Sequence, residues 1–385
     1  KTQHPALDLL LRCIKKRTHW SALQMKTDGD GRVRCSYNQL SLKDDGSGGP
    51  PTTGRLSCST SITGSGTNLQ TIPDEDRDLF PAYPGYWMFQ CDLSGADGWT
   101  VAAHCARLGD TTMLDDLKAG ISIAKVVAKM FLDGPEISRL PREQLKELTN
   151  AITKKEPIYF GSKCCQHGTN YGMGEVLLSQ TIFLQSGGEI SISSRDSRRL
   201  QELYLLRYYG VRLWHDWCHK TLNSSGRCTC ASGATRIFFG RRNDHDTLKK
   251  FLAHEPQANT AHATNLAALH LWTDPANRWG YWTNSGRAGE IISQRVIKEG
   301  IFPVGVLEAM SKQAPERNPS SLIIEPLHQV HDALVGQFLQ ELSAWAASKI
   351  KSWFDNTLVI AGQNIVIPFD GAYGPSWGQL DQGKI

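Results

Sequence analysis

The sequence predicts an α+β protein in which one domain is assembled from both ends of the chain around a helical insertion. Apolar runs of strand length stand near both ends, at residues 87–93, 327–338 and 358–369, whereas residues 121–270 are dominated by helical periodicity. Size adds a third constraint: 385 residues, at roughly 150 per domain, make two or three packed units.

The elements follow in order. Leu7, Leu10, Leu11 and Ile14 recur at helical spacing, so residues 5–25 read as an amphipathic helix. Thr27 to Gly31 is a turn, and the alternation in residues 32–37 makes a strand. Residues 44–53 are rich in Gly, Asp and Pro and form a loop. The run from Trp87 to Leu93 is a buried strand that ends at Ser94-Gly95, after which Val101, Ala102, Cys105 and Leu108 set a helical rhythm. Glu156-Pro157 opens a helix, because proline's missing N–H costs nothing in the first turn. Residues 204–222 read as one helix, and residues 265–272 continue the helical character. Residues 322–324 and 327–338 read as strands with His331-Asp332 at a turn, residues 345–354 as a helix, and residues 358–369 as strand again.

An apolar fraction of 40% and an aromatic fraction of 9% rule out wholesale disorder. Forty-two Lys and Arg against 38 Asp and Glu leave a formal charge of +4. That balance excludes a tail-driven nucleic-acid binder but leaves room for a basic cleft. No stretch approaches 18 apolar residues, so no membrane partner is expected. The chain opens at Lys1 without an apolar signal segment, as an excised piece of something longer would. Ten cysteines occur without paired C-x-x-C knuckles, which points to reduced thiols. Cys218, His219, Cys228 and Cys230 offer a zinc alternative, and His215 with His219 reads first as a helix-surface pair.

Two aspartates stand at strand ends: Asp92, and Asp332 within Gln329-Val-His-Asp332. A carboxylate at the mouth of an apolar strand is costly unless solvated or bound to a cation. A converging pair suits two divalent ions and phosphoryl transfer. For either aspartate alone, a turn or capping role is the simpler reading.

Five segments then occur in a fixed order. Thr53-Gly-Arg-Leu-Ser-Cys-Ser59 with Asn68-Leu-Gln-Thr-Ile-Pro73 resembles the signature before the catalytic palm of family A DNA polymerases, the group of bacterial DNA polymerase I. Asp92-Leu-Ser-Gly-Ala-Asp97 is similar to motif A, and Lys163-Cys-Cys-Gln-His-Gly-Thr-Asn-Tyr-Gly172 to motif B. Gln329-Val-His-Asp332 resembles motif C, and Gly374-Pro-Ser-Trp377 the closing G-P-x-W. The resemblance implies a right-hand polymerase fold: an antiparallel palm sheet, an inserted helical fingers domain and a remnant of thumb. Its expected boundaries are 1–50 for the thumb base, 51–117 for the first palm part, 118–235 for the fingers and 236–385 for the second palm part.

By that resemblance, Asp92 and Asp332 are the catalytic, metal-binding carboxylates for two Mg²⁺ ions, with Mn²⁺ as a substitute. Lys163, His167, Tyr171, Asp97 and Leu93 are expected at the deoxynucleoside triphosphate. Arg55, Asn68, Gln70, Gln329, His331, Arg241 and Arg242 are expected on primer-template DNA. A separate exonuclease or thumb portion, or a processivity factor, is a further expected partner. The setting implied is a bacterial or infected-host cytoplasm, an organelle being the alternative.

Several positions depart from the family pattern. Tyr159 stands where motif B has arginine, and Ser122-Ile-Ala124 where the fingers have Asp-Ile-His. His167 replaces a Phe or Tyr, and Ala333 replaces the Glu after the motif C aspartate. Asp97 stands for the Glu that crowds the sugar 2′ position, one methylene shorter. Lys125, Lys154 and Lys155 are candidates to replace the lost cations. Two other readings stay open: a weakened primer-template binding module and a single-subunit RNA polymerase, which the carboxylate at Asp97 argues against.

Overall fold

A computed structural model describes residues 24–38, 53–283 and 320–385 together with nine positions between 6 and 20. Those nine positions are helical, as the leucine spacing predicts. The expected loop at residues 44–53 lies outside the described residues except for Thr53. The chain divides into two compact units: Lys1–Thr18, Gly95–Asn259 and Leu358–Ile365 in the first, His19–Ser94, Thr260–Thr357 and Val366–Ile385 in the second.

The second unit is built on an antiparallel sheet. Its strands are β3 (Tyr86–Leu93), β6 (Glu325–Val330), β7 (Ala333–Leu339), β10 (Phe369–Gly374) and β11 (Gly383–Lys384), in the order β11-β10-β3-β7-β6. A separate antiparallel pair joins β1 (Cys35–Asn38) to β2 (Ser57–Thr60). Aromatic and branched residues suit β3 and β7 to a pleated surface, and β7 is buried along its whole length. Phe89 lies opposite Gly336, where a Cβ would come 2.5 Å from both the Phe89 ring and the Glu325 carbonyl. Only glycine fits there. Met88 and Val335 form a core with Leu69, Ile72 and Trp377, and the Trp377 indole N–H donates to Gln90 Oε1 at 2.7 Å.

Between β6 and β7 the chain turns through His331 and Asp332, as the sequence predicts. The strand pairing slips between Pro326 and His328, a bulge that leaves Leu327 over and decides which way His328 and Gln329 face. After α10 (Ser343–Phe354), the stretch expected as one strand is a hairpin, β8 (Thr357–Ile360) and β9 (Gln363–Val366), followed by β10. Ala361 and Gly362 both take positive φ, the geometry of a tight two-residue hairpin turn.

The first unit is mostly helical: α1 (Ala96–Arg107), α2 (Thr112–Lys118), α3 (Ile123–Asp133), α4 (Arg142–Asn150), α5 (Pro157–Asn170), α6 (Glu175–Gln185), α7 (Ser194–Arg207) and α8 (Gly210–Ser224). A short hairpin, β4 (Arg227–Thr229) with β5 (Thr235–Ile237), precedes α9 (His245–Thr273), whose residues fall in both units. Ile121, Val126, Met130, Leu145 and Leu203 form one apolar core. The helix expected over residues 204–222 is broken in two. Tyr208 buries its ring and donates to Asp116 Oδ2 at 3.1 Å, and Asp110 Oδ2 captures the Gly210 N–H at 2.6 Å. The chain must leave one helix to satisfy both.

Asp116 is the hub of this unit. It is 0% exposed and accepts from Arg207 Nε at 2.8 Å, Arg207 Nη2 at 3.0 Å and Arg142 Nε at 3.2 Å. A buried pair adds little net stability over an apolar one, but removing one partner strands the other's charge. Asp116→Ala is therefore expected to destabilise the unit by about 3–5 kcal/mol, read as a lower urea midpoint. In the second unit, burial and then nearby Arg77 lower the pKa of His328 to about 4. The unfolded chain takes up this proton near pH 6.5 and the folded one only near 4. Stability from this group is thus complete above about pH 6.5 and is lost as pH falls towards 4, by on the order of 3 kcal/mol. Urea unfolding across that range should show a fall that His328→Gln flattens.

Candidate active site

In the second unit, Asp92 is the last residue but one of β3 and is exposed. Directly across from it stand Ala333 on β7 and Asp370 on β10. Residues paired this way point to the same face of the sheet. On the β6–β7 turn, the Asp332 carbonyl accepts from the Leu93 N–H at 3.4 Å and from Thr264 Oγ1 at 3.2 Å. Asp92 and Asp332, with 239 residues between them, are thus neighbours around one hydrogen bond. Leu93 engages its N–H there and buries its side chain. His331 holds φ at 53°, an uncommon conformation for any residue but glycine and asparagine.

Thr264 and Asp370 were not singled out by the sequence. Thr264 lies within a helical run rich in threonine and alanine, where nothing marks one hydroxyl from another. Asp370 accepts from Ser94 Oγ at 2.9 Å. Its proximity to Asp92 follows only from strand order, which no local pattern reveals. Like charges directly opposite each other on neighbouring strands are destabilising, so this strand end favours a cation. The donors are hard carboxylate oxygens, which suits Mg²⁺ completed by water and substrate phosphates. Among the described residues, no group of three or more His, Cys, Asp or Glu is disposed to hold a metal by itself. Cys218, Cys228 and Cys230 are buried free thiols, while His219 is exposed.

Four of the seven residues expected on primer-template DNA, Asn68, Gln70, Gln329 and His331, share a mesh in this unit. Asn68 caps a short 3₁₀ turn by accepting from the Gln70 N–H at 3.0 Å. Gln70 Nε2 donates to the Leu56 carbonyl at 3.1 Å and to the Gln329 carbonyl at 3.2 Å. Gln329, 8% exposed, donates from Nε2 to Asn265 Oδ1 at 3.3 Å and to the His331 carbonyl at 3.4 Å. Asn265 in turn donates to the Gly54 carbonyl at 3.3 Å, beside Arg55. Arg55 Nε is buried without a hydrogen-bond partner among the described residues.

In the first unit, Lys163 and His167 are exposed on α5, and Tyr171 caps its C-terminal end. Their spacing of four puts them on one stripe. The Tyr171 hydroxyl donates to Asp97 Oδ2 at 2.5 Å. His167 packs edge-on to Tyr171 at 4.7 Å, with Nδ1 3.9 Å from Asp97. Gly168 lies where Met173 Sδ would be 2.9 Å from a Cβ, which holds the turn after α5 tight. Ser122 caps α3 by accepting from the Lys125 N–H, and Ala124 is buried. Arg242 donates from Nη1 to the Asn223 and Ser224 carbonyls at 2.8 and 3.2 Å, closing the C-terminal end of α8. Arg241 is exposed, and neighbouring Phe239 is 91% exposed.

Among the described residues, no helix is long and apolar enough to cross a membrane. No family model matches the chain, and no curated protein matches it. Among solved structures, the POL domain of Pol1 from M. smegmatis, in complex with DNA primer-template and dNTP, is similar with a TM-score of 0.60 at 18% identity. The match covers 95% of this chain and 51% of that one, so this chain spans about half its length. At that identity the likeness is one of fold: the chain has the fold of a DNA polymerase domain.

Proposed function

We propose that the chain is a template-directed DNA polymerase of family A, joining a deoxynucleoside triphosphate to a primer 3′-hydroxyl with release of pyrophosphate. The observation that supports this most is the bond from the Leu93 N–H to the Asp332 carbonyl, which makes the two strand-end aspartates neighbours within a DNA polymerase fold. In this reading, residues 51–117 and 236–385 serve as palm, 118–235 as fingers and 1–50 as the base of a thumb.

Asp92 and Asp332 would hold the divalent ions, Mg²⁺ by their oxygen chemistry. When bound, these supply charge neutralisation at the triphosphate and a lowered pKa at the primer hydroxyl. The 3′-oxygen attacks the α-phosphorus, and the bond to the pyrophosphate oxygen breaks. Lys163, a compact point charge, binds the triphosphate. The Asp97–Tyr171 bond holds both side chains as a wall beside the sugar 2′ position, and His167 flanks it. Arg55 and Gln329 meet minor-groove acceptors, which are common to all base pairs and report pair shape without sequence. Arg241 meets the DNA backbone. A second reading, a weakened primer-template binding module, draws on Tyr159 and on Ser122 and Ala124, which leave two phosphate-facing positions without charge.

Primer extension on a defined template with Mg²⁺ separates the two. Asp92→Asn and Asp332→Asn are each expected to lower kcat by about 10³-fold or more with primer-template affinity nearly unchanged. A wild-type chain that binds the duplex but extends nothing would favour the binding module. Lys163→Ala is expected to raise the KM for nucleotide about ten-fold or more. Charge reversal at Lys125, Lys154 or Lys155 should raise it as well; unchanged kinetics in all three would remove them as replacement cations.

A further inference from the structure

The geometry points to Tyr37 as a positioning residue for the turn that carries Asp332, a role that rests on the polymerase reading above. Tyr37 lies on β1 opposite Cys58, 291 positions along the chain from its first partner, His328. Its hydroxyl accepts from the Gln329 N–H at 2.7 Å. It lies 2.5 Å from His328 Nδ1 and 3.0 Å from the Gln329 carbonyl.

A phenol has one proton to donate. With its proton on Nε2, neutral His328 offers an acceptor at the shorter distance, and the Gln329 carbonyl is then served by Gln70 Nε2 at 3.2 Å. Side chains from two other segments therefore satisfy both backbone groups of Gln329.

The reason lies in the sheet. Among the described residues, β6 is its terminal strand and pairs only with β7. Val330 and Ala333 close the two-residue turn, so in an antiparallel ladder the next pair, Gln329 with Leu334, directs its N–H and C=O away from the partner strand. An open edge leaves such groups to water or to another strand. Here Tyr37 and Gln70 stand in the place of that strand, three residues before Asp332. The Gln329 side chain carries the constraint onward to the His331 carbonyl at 3.4 Å. Packing alone would hold the ring of Tyr37; the hydroxyl oxygen adds a fixed height for the Gln329 peptide.

Tyr37→Phe removes that oxygen and little else. In the full chain, hydrogen–deuterium exchange in residues 325–334 is expected to quicken about 5- to 30-fold, with the rest of the sheet unchanged. Single-turnover primer extension should slow by about 5- to 30-fold, with the KM for nucleotide within about two-fold of wild type. Gln70→Leu should shift the same exchange, and the double variant should fall short of the product of the two effects. Unchanged exchange in Tyr37→Phe overturns the grip on Gln329. Faster exchange with an unchanged extension rate overturns the positioning role and leaves a merely structural one. A wild-type chain that extends no primer sinks the polymerase reading instead, and exchange then still decides whether Tyr37 holds the turn.

Discussion

The pairing register of β3 with β7 is the constraint on which the second unit depends. Asp92 faces Ala333 because Phe89 faces Gly336, and no other residue of β7 could accept that ring so close to the backbone. A slip of one residue would turn every side chain of β3 to the opposite face. The apolar residues between Tyr86 and Leu93 would lose their partners, and Asp92 would leave the face it shares with Asp370. The same register brings the Leu93 N–H to the Asp332 carbonyl. Chemistry and packing are thus fixed by one choice, and the steric lock lies three residues from the carboxylate.

The two units solve a common problem by different means. In the first, a buried carboxylate is made tolerable by two arginines and a tyrosine from two separate helices, one of them with its C-terminal cap. In the second, the open edge of a sheet is closed by a phenol and an amide. In both, a polar group that burial would penalise becomes the point where distant segments are joined.

Much of this was legible in the sequence. Strand β3, the turn at His331 and Asp332, and the start of α5 at Pro157 all follow from periodicity and turn chemistry. The break at Tyr208 does not, because it is set by Asp110 and Asp116, about a hundred residues earlier. The full length of α9 is hidden by Pro256, which reads as a helix break although the helix runs through it. The Arg242 guanidinium closes the end of α8 through Nη1, and Gln70 has both amide protons on backbone carbonyls, contacts that no local pattern shows. Whether a polar side chain faces a ligand or its own backbone is decided by tertiary neighbours, which composition and spacing do not contain. Motif resemblance suggested Asp92 and Asp332 where spacing alone would have read two turn residues; it gave no sign of Thr264 or Tyr37.

The central place of β3 between β10 and β7 also sets an order of events during synthesis. When β3 leaves the ribosome, neither neighbour exists. At roughly 5–20 residues per second, β7 follows only after some tens of seconds. The helical first unit, drawn mainly from Gly95–Asn259, has all of that main segment made in the interval. An apolar strand with two unpaired edges must meanwhile wait for its partners. Such a strand invites pairing with the wrong chain. A nascent chain of this design has its most exposed moment before its second half is translated, and truncation there would leave the first unit with its folding segment complete and β3 as a sticky tail.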